Sequence, residues 1–229
     1  MEYRRYAIYY APPAGSALAA FGAAWLGWDA EAQGEVARPT VAGLDTPVEA
    51  LTANPRRYGF HGTLKPPFRL AEGCSVVDLE AAVAAFAATW RPFDAPPLRV
   101  ATDHGFLSLR LSAYCPEMAA LADGVVEQLD RFRAPPAEAE LARRRQSGLT
   151  PRQDANLQRW GYPYVFEDFH FHLTLSNHLG ETRAAQLADL LADRLAPLCR
   201  DPMLVREVAL FGDPGDGPFH LLHRYALSG

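Results

Sequence analysis

The feature that most constrains this chain is a short pattern that occurs twice. Tyr58-Gly59-Phe60-His61-Gly62-Thr63-Leu64-Lys65 and Phe169-His170-Phe171-His172-Leu173-Thr174-Leu175 both contain His-x-Thr-Leu. Both alternate polar and apolar residues with the period of two expected of a half-buried strand. On the first, His61, Thr63 and Lys65 share the polar face; on the second, His170, His172 and Thr174 do. The motif histidines lie 172 − 61 = 111 positions apart, close to half of the 229 residues. The chain has seven histidines, too few for two such copies to arise readily by chance, so the repetition constrains the fold.

The surroundings repeat as well. After the first copy, Ser75 is a helix N-cap with Asp78 three residues on, and Leu79, Val83, Phe86 and Trp90 form an apolar stripe. Strands over 98–102 and 106–111 follow, around a tight Asp103-His104-Gly105 turn. After the second copy come a helix carrying Leu187, Leu190, Leu191 and Leu195, then strands over 203–211 and 219–227 joined by a Gly- and Pro-rich turn. Outside this repeated order the sequence predicts a strand over 3–10, a helix over 16–28 and a long irregular excursion over 29–57 with a helical turn near 47–52. Pro66-Pro67 is expected to end the first His strand, and the second is expected to run over 164–176. Between the halves lie an amphipathic helix with Met118, Leu121, Val125, Leu129 and Phe132, a polar stretch over 134–146, and a short helix opened by Thr150-Pro151. Arg143 to Arg145 reads as a solvated helix face, with a lid over an anionic substrate as the sharper alternative.

The expected fold class is therefore α+β: a bilobal, duplicated α/β unit with two antiparallel-rich sheets facing a central cleft and helices on the outside. It is one domain over residues 1–229, with lobes of roughly 1–113 and 114–229 between which strands can be exchanged. A composition of 49% apolar and 21% charged residues supports a well-filled core. A net charge of −5 argues against a general polyanion binder, so a phosphate would need a local basic pocket. Cys74, Cys115 and Cys199 are widely spaced and odd in number, which disfavours a disulfide framework or a zinc knuckle. No apolar run reaches the length of a membrane span and the first ten residues do not read as a signal peptide, so the expected compartment is the cytoplasm.

The pair His61-Gly62-Thr63-Leu64 and His172-Leu173-Thr174-Leu175 resembles the two His-x-Thr signatures of the 2H phosphoesterase superfamily, which includes RNA ligase-like cyclic phosphodiesterases. The wider context looks like the DUF1045 branch, associated with bacterial phosphonate-utilisation gene clusters. That context comprises Arg5-Tyr6-Ala7-Ile8-Tyr9-Tyr10-Ala11-Pro12, the run from Tyr58 to Phe68, and Trp160-Gly161-Tyr162-Pro163-Tyr164. The resemblance covers nearly the whole chain. It implies a bilobal fold whose motifs face each other across a cleft, metal-independent action on phosphodiesters, and a basic residue in the place of His170.

The residues suit that chemistry. Opening a cyclic phosphodiester takes an activated water on one side of phosphorus and a protonated leaving alkoxide on the other. Two imidazoles with ordinary pKa values near 6.5 can divide those tasks close to pH 7. His61 and His172 are the expected catalytic pair, with a bell-shaped pH dependence whose limbs flank neutrality. Thr63 and Thr174 are candidate donors to the non-bridging oxygens, and Lys65 a candidate for neutralising transition-state charge. His170, Tyr164 and, more weakly, Tyr9 are further candidate substrate contacts. No cofactor, metal, membrane or protein partner is expected. The ligand would be a small phosphodiester or nucleotide, with an RNA end as the alternative. Two rivals stand beside this reading: a binding module that holds a nucleotide or RNA end without turnover, and a metal-dependent hydrolase using His170, His172 and His178.

Overall fold

The two His-x-Thr-Leu segments lie side by side in the middle of one antiparallel sheet. The computed structural model describes residues 3–229. Strand β1 (Arg5–Tyr10) is followed by helix α1 (Ala17–Leu26), a small hairpin of β2 (Trp28–Asp29) and β3 (Gly34–Glu35), and helix α2 (Val48–Arg56). Next come β4 (Gly62–Phe68), α3 (Val76–Ala87), β5 (Phe93–Ala95), β6 (Leu98–Asp103) and β7 (Phe106–Leu111). Helices α4 (Pro116–Gln128), α5 (Glu138–Arg145) and α6 (Pro151–Trp160) lead to β8 (His172–Thr174). The chain finishes with α7 (Glu181–Leu195), β9 (Met203–Val205), β10 (Glu207–Asp213) and β11 (His220–Ala226). Among the described residues no helix is long and apolar enough to cross a membrane.

Seven strands form the main sheet in the order β11-β10-β1-β4-β8-β7-β6, and every neighbouring pair is antiparallel. The class is the expected one, antiparallel strands with helices packed around them, but the two sheets expected to face each other are joined: the strands of both motifs belong to one seven-stranded sheet. The sequence does not reveal how its halves join. The late hairpin β10–β11 joins the early strand β1 through β10, while β8 pairs with β7 of the early hairpin β6–β7. The two groups meet at a single residue pair, Gly62 with Leu173.

Local chemistry explains the elements that set this up. In the β6–β7 hairpin both central turn residues, His104 (φ 50°) and Gly105 (φ 76°), are left-handed, as a two-residue turn between twisted strands requires. Helix α3 begins with a reciprocal Ser75–Asp78 capping box, and α6 with Thr150 and Gln153, Pro151 supplying the first helical residue. Helices α3, α4 and α7 pack on one face of the sheet, against β10 and β11, against β4, and against β6 and β7 respectively. Their stripes (Leu79, Val83, Met118, Leu121, Leu187, Leu191) bury the main core with Ile8, Leu64 and Leu173. Ala7, Tyr9, Trp28, Phe211 and Phe219 form a second core on the other face of β1 and β10.

Three expectations are corrected. Strand β4 continues through Pro66-Pro67 to Phe68, opposite Tyr6. Beyond Gly62 it has no further partner on the β8 side, so the prolines' missing N–H groups interrupt no ladder there. The second His strand is only three residues long, because Phe166 adopts a left-handed φ of 55° in a 3-10 turn over Phe166–Asp168 and breaks the extended run. The turn expected near 47–52 is a full helix, Val48–Arg56, seated through buried Leu51 and Thr52. Arg38 ties it down by bonding both the Thr52 hydroxyl and the Trp25 carbonyl.

Candidate active site

Paired residues of adjacent strands point to the same face of a sheet, and their sequence neighbours to the other. Gly62 and Leu173 are such a pair and face the helical core. His61 and Thr63 on one strand, and His172 and Thr174 on the other, must then all face the opposite side. The two motifs are thereby gathered over the joint in the sheet. Gly62 is required here: a Cβ on it would come within 2.4 Å of the Phe171 ring.

Both histidines are held in the same way. His61 Nδ1 lies 2.9 Å from the Gly59 carbonyl, and His172 Nδ1 lies 2.8 Å from the His170 carbonyl. A carbonyl only accepts, so each Nδ1 carries the proton and each Nε2 keeps its lone pair. Thr63 Oγ1 is 3.1 Å from His61 Nε2 and can donate to it. The His61 ring stacks on Tyr9 with centroids 3.7 Å apart. Burial pulls the His61 imidazole down to about 4, the Gly59 carbonyl offsets part of this, and the field of His172 lowers it further. His172 is also lowered, chiefly by burial and then by Arg110 and His170, against the His170 carbonyl bond.

A cleft of about 620 Å³ has Thr63, His170 and His172 on its walls together with Tyr164, Tyr162 and Arg110, while His61 is half-buried next to Thr63 and is not part of its lining. Tyr164 and exposed His170 therefore stand where a ligand can reach them. Thr174 is half-buried opposite Ser108 on β7. Tyr9 is only 1% exposed and lies behind His61, so it supports that ring rather than contacting a ligand.

Lys65 is the clear departure from the expected site. Ile8 pairs with Lys65 and Tyr9 with Thr63, so two residues of β4 span one step of β1: a bulge at Leu64. The extra residue turns Lys65 onto the helical face. There it is 1% exposed and bonded to Asp130 (3.0 Å) and the Val126 carbonyl (3.1 Å). Burial pulls its ammonium down to about 8 against the pull of Asp130. Asp130 also holds Arg133 at 2.8 Å, so it keeps a cation if the lysine is removed. We expect Lys65→Met to retain kcat/KM within about threefold of the unaltered protein, as for a group outside the chemistry. Steady-state kinetics checks this, and a loss of about a hundredfold would return the lysine to the reaction.

Arg110 is the residue the sequence reading missed. It pairs with His172 across β7–β8, lines the cleft and meets Asp103 at 3.0 Å, yet its Nε is buried without a hydrogen-bond partner among the described residues. Its only sequence signal is its parity with Ser108 on an alternating strand. His178 packs edge-on against Phe106 and does not line the cleft. Among the described residues no three His, Cys, Asp or Glu side chains are grouped so as to hold a metal ion.

With this geometry in place, comparison with known proteins assigns the chain to a family. The family model described as "Protein of unknown function (DUF1045)" matches residues 63–220, and the chain belongs to that family. It is 42% identical over 176 residues, 76% of its length, to a Janthinobacterium sp. (strain Marseille) protein named ribose 1,5-bisphosphate phosphokinase PhnN. A Laribacter hongkongensis (strain HLHK9) protein of the same name is 39% identical over 177 residues. The match takes in 39% and 41% of those proteins, so the chain spans about two fifths of the length of the curated relatives it matches. Among solved structures, E. coli LigT complexed with 3′-AMP aligns over the whole of both chains with a TM-score of 0.47 and 16% identity.

Proposed function

We propose that the cleft opens a cyclic phosphodiester, of the ribose cyclic phosphate or 2′,3′-cyclic nucleotide type, by metal-independent acid–base catalysis with two imidazoles. The observation that carries this reading is the matched pair of rings: each Nδ1–H is anchored on a backbone carbonyl, which leaves Nε2 as the basic nitrogen of each ring on the same face of the sheet, that of His61 beside the Thr63 hydroxyl. The resemblance of both motifs to those of 2H phosphoesterases supports it.

His61, the more strongly depressed of the two, is neutral at pH 7 and suits the base. Its Nε2 takes a proton from water as the water oxygen bonds to phosphorus. The bond from phosphorus to the sugar oxygen breaks, and protonated His172 gives its Nε2 proton to the departing alkoxide. Water is consumed, a phosphate monoester forms, and solvent returns the rings to their starting charge. Thr63, Thr174 and Arg110 offer donors to the non-bridging oxygens as charge builds there. The relatives' name favours ribose over a nucleotide: a cyclic phosphate on ribose 5-phosphate opens to a ribose bisphosphate, the class of compound that name describes.

The test is a ³¹P NMR screen of ribose cyclic phosphates and 2′,3′-cyclic nucleotides with a chelator present. The reading expects a diester resonance to be replaced by a monoester. Diester signals that persist at stoichiometric protein, or that disappear only when metal is restored, would contradict it.

The pH profile sharpens the expectation. kcat/KM reports the free protein. It requires His61 neutral, which holds above about 4, and His172 protonated, which holds only below a value depressed from 6.5. The optimum of kcat/KM therefore falls on the acid side of neutrality, in place of the bell centred on neutrality that unperturbed histidines would give. Bound phosphate anion favours imidazolium, so the kcat profile moves to higher pH. A kcat/KM that climbs steadily from pH 7 to about 10, the range of other bases, would contradict two imidazoles.

A further inference from the structure

The cleft is larger than one cyclic phosphate needs, and its charges are unevenly matched. On one wall Arg110 is opposed by Asp103; on the other Asp168 is bound by Arg152 at 2.7 Å and by Gln153 at 3.1 Å. Both carboxylates are thus engaged. Arg144, which stands beside the cleft rather than on its lining, has no carboxylate partner among the described residues. It sits on α5, a helix none of whose residues is buried, so its place is not dictated by core packing. The helix is tied instead by Arg145 to Asp154 of α6 and by Arg144, whose guanidinium lies 5.0 Å over the ring of Tyr162 on the cleft wall. Arg144 Nε is buried with no hydrogen-bond partner among the described residues. The guanidinium therefore has hydrogen-bonding capacity that the described residues do not use, and a phosphate would meet it at the terminal nitrogens rather than at the shielded Nε.

We propose that Arg144 and the Tyr162 hydroxyl form a second anion subsite that binds a phosphate monoester elsewhere on the substrate, such as the 5-phosphate of a ribose cyclic phosphate. This rests on the catalytic reading above and extends it. A guanidinium presents planar paired donors that fit phosphate oxygens, and a tyrosine hydroxyl adds a neutral donor. Tyr162 is placed to connect the two ends of such a substrate. Its phenol is raised by burial and lowered by the field of Arg144, and it also feels Tyr58, whose ring lies 6.4 Å from that of His61. The subsite would explain why a chain with a net charge of −5 keeps a cation uncompensated here.

The experiment measures binding of ribose 5-phosphate and of ribose by calorimetry to the unaltered chain, Arg144→Gln, Arg144→Lys and Arg143→Gln, with melting temperatures to show that all are folded. The subsite predicts that ribose 5-phosphate binds better than ribose, and that Arg144→Gln weakens it by roughly tenfold to a hundredfold, the range of a charged hydrogen bond. Arg144→Lys restores part of the loss and Arg143→Gln changes little. Equal binding of ribose and ribose 5-phosphate, no loss in Arg144→Gln, or equal losses in the two glutamine variants would overturn it. Because this readout needs no turnover, it is independent of the catalytic reading. A chain that binds ribose 5-phosphate through Arg144 but opens no cyclic phosphate keeps the subsite and loses the mechanism. One that opens cyclic phosphates equally well with and without a 5-phosphate, with Arg144→Gln binding unchanged, keeps the mechanism and loses the subsite.

Discussion

Replacing His172 with Ala is expected to lower kcat/KM for opening a ribose cyclic phosphate by about 10²–10⁴-fold, the usual contribution of one positioned acid or base. His61→Gln, which keeps a polar side chain of similar reach but removes the ring stacked on Tyr9, is expected to lose a similar factor. The informative variant is the double one. If both rings serve one displacement, removing the second after the first costs little more, because groups that act as a unit are strongly non-additive. Each ring is fixed by a backbone carbonyl rather than by a carboxylate, so neither loss comes with a newly unpaired buried charge. Melting temperatures should therefore move little while rates collapse. Initial-rate kinetics on the three variants decides the matter: losses below about tenfold, or losses that multiply in the double variant, would show that the histidines are not one catalytic unit.

Gly62→Ala is expected to have the second-largest effect, through geometry alone. Gly62 contributes no side chain to the cleft, but it makes the one residue pair that joins β4 to β8. A Cβ there would lie 2.4 Å from Phe171 Cε2 and 2.7 Å from Cζ, inside any tolerable contact. Phe171 is buried and packs edge-on against Tyr10 at 5.5 Å, so displacing the ring costs core packing. The expected response is a separation of the strands. The adjoining residues on each strand are His61 and His172, so their spacing changes by a comparable amount. Overpacking of this kind costs about 1–3 kcal/mol, and a misplacement of about 1 Å costs about a hundredfold in rate. Thermal melting and kcat/KM together test this, with Gly62→Ala/Phe171→Leu as the companion. Relief of the clash should restore stability and rate in step. A Gly62→Ala protein with normal activity would mean that this junction does not set the distance between the rings.

How much of this was legible beforehand follows from where each feature is encoded. Strand alternation is local, so the shared face of His61 and Thr63, and of His172 and Thr174, could be read from period two alone. Helices α3 and α6 announced themselves through Ser75–Asp78 and Thr150-Pro151 for the same reason. Lys65 could not be read correctly, because the bulge that turns it inward is set by the register against β1 rather than by its own neighbours. Arg110 could not be placed at the cleft until β7 was known to pair with β8, which sets it beside His172. Tyr164 reaches the cleft, but not along the unbroken strand that its parity suggested; the left-handed Phe166 lies between. The lowered pKa values of the two histidines are also non-local, since burial by the whole fold dominates both.

A crystal structure of the protein with a ribose vanadate ester, whose five-coordinate vanadium mimics phosphorus in mid-displacement, would test the central claim most directly. The expected result is vanadium above the Gly62–Leu173 junction, with one apical oxygen about 2.6–3.2 Å from His61 Nε2 and the opposite one equally close to His172 Nε2, hydrogen-bonding distance for a proton in transfer. Vanadate bound away from the junction, or approached by both rings from the same side, would contradict it.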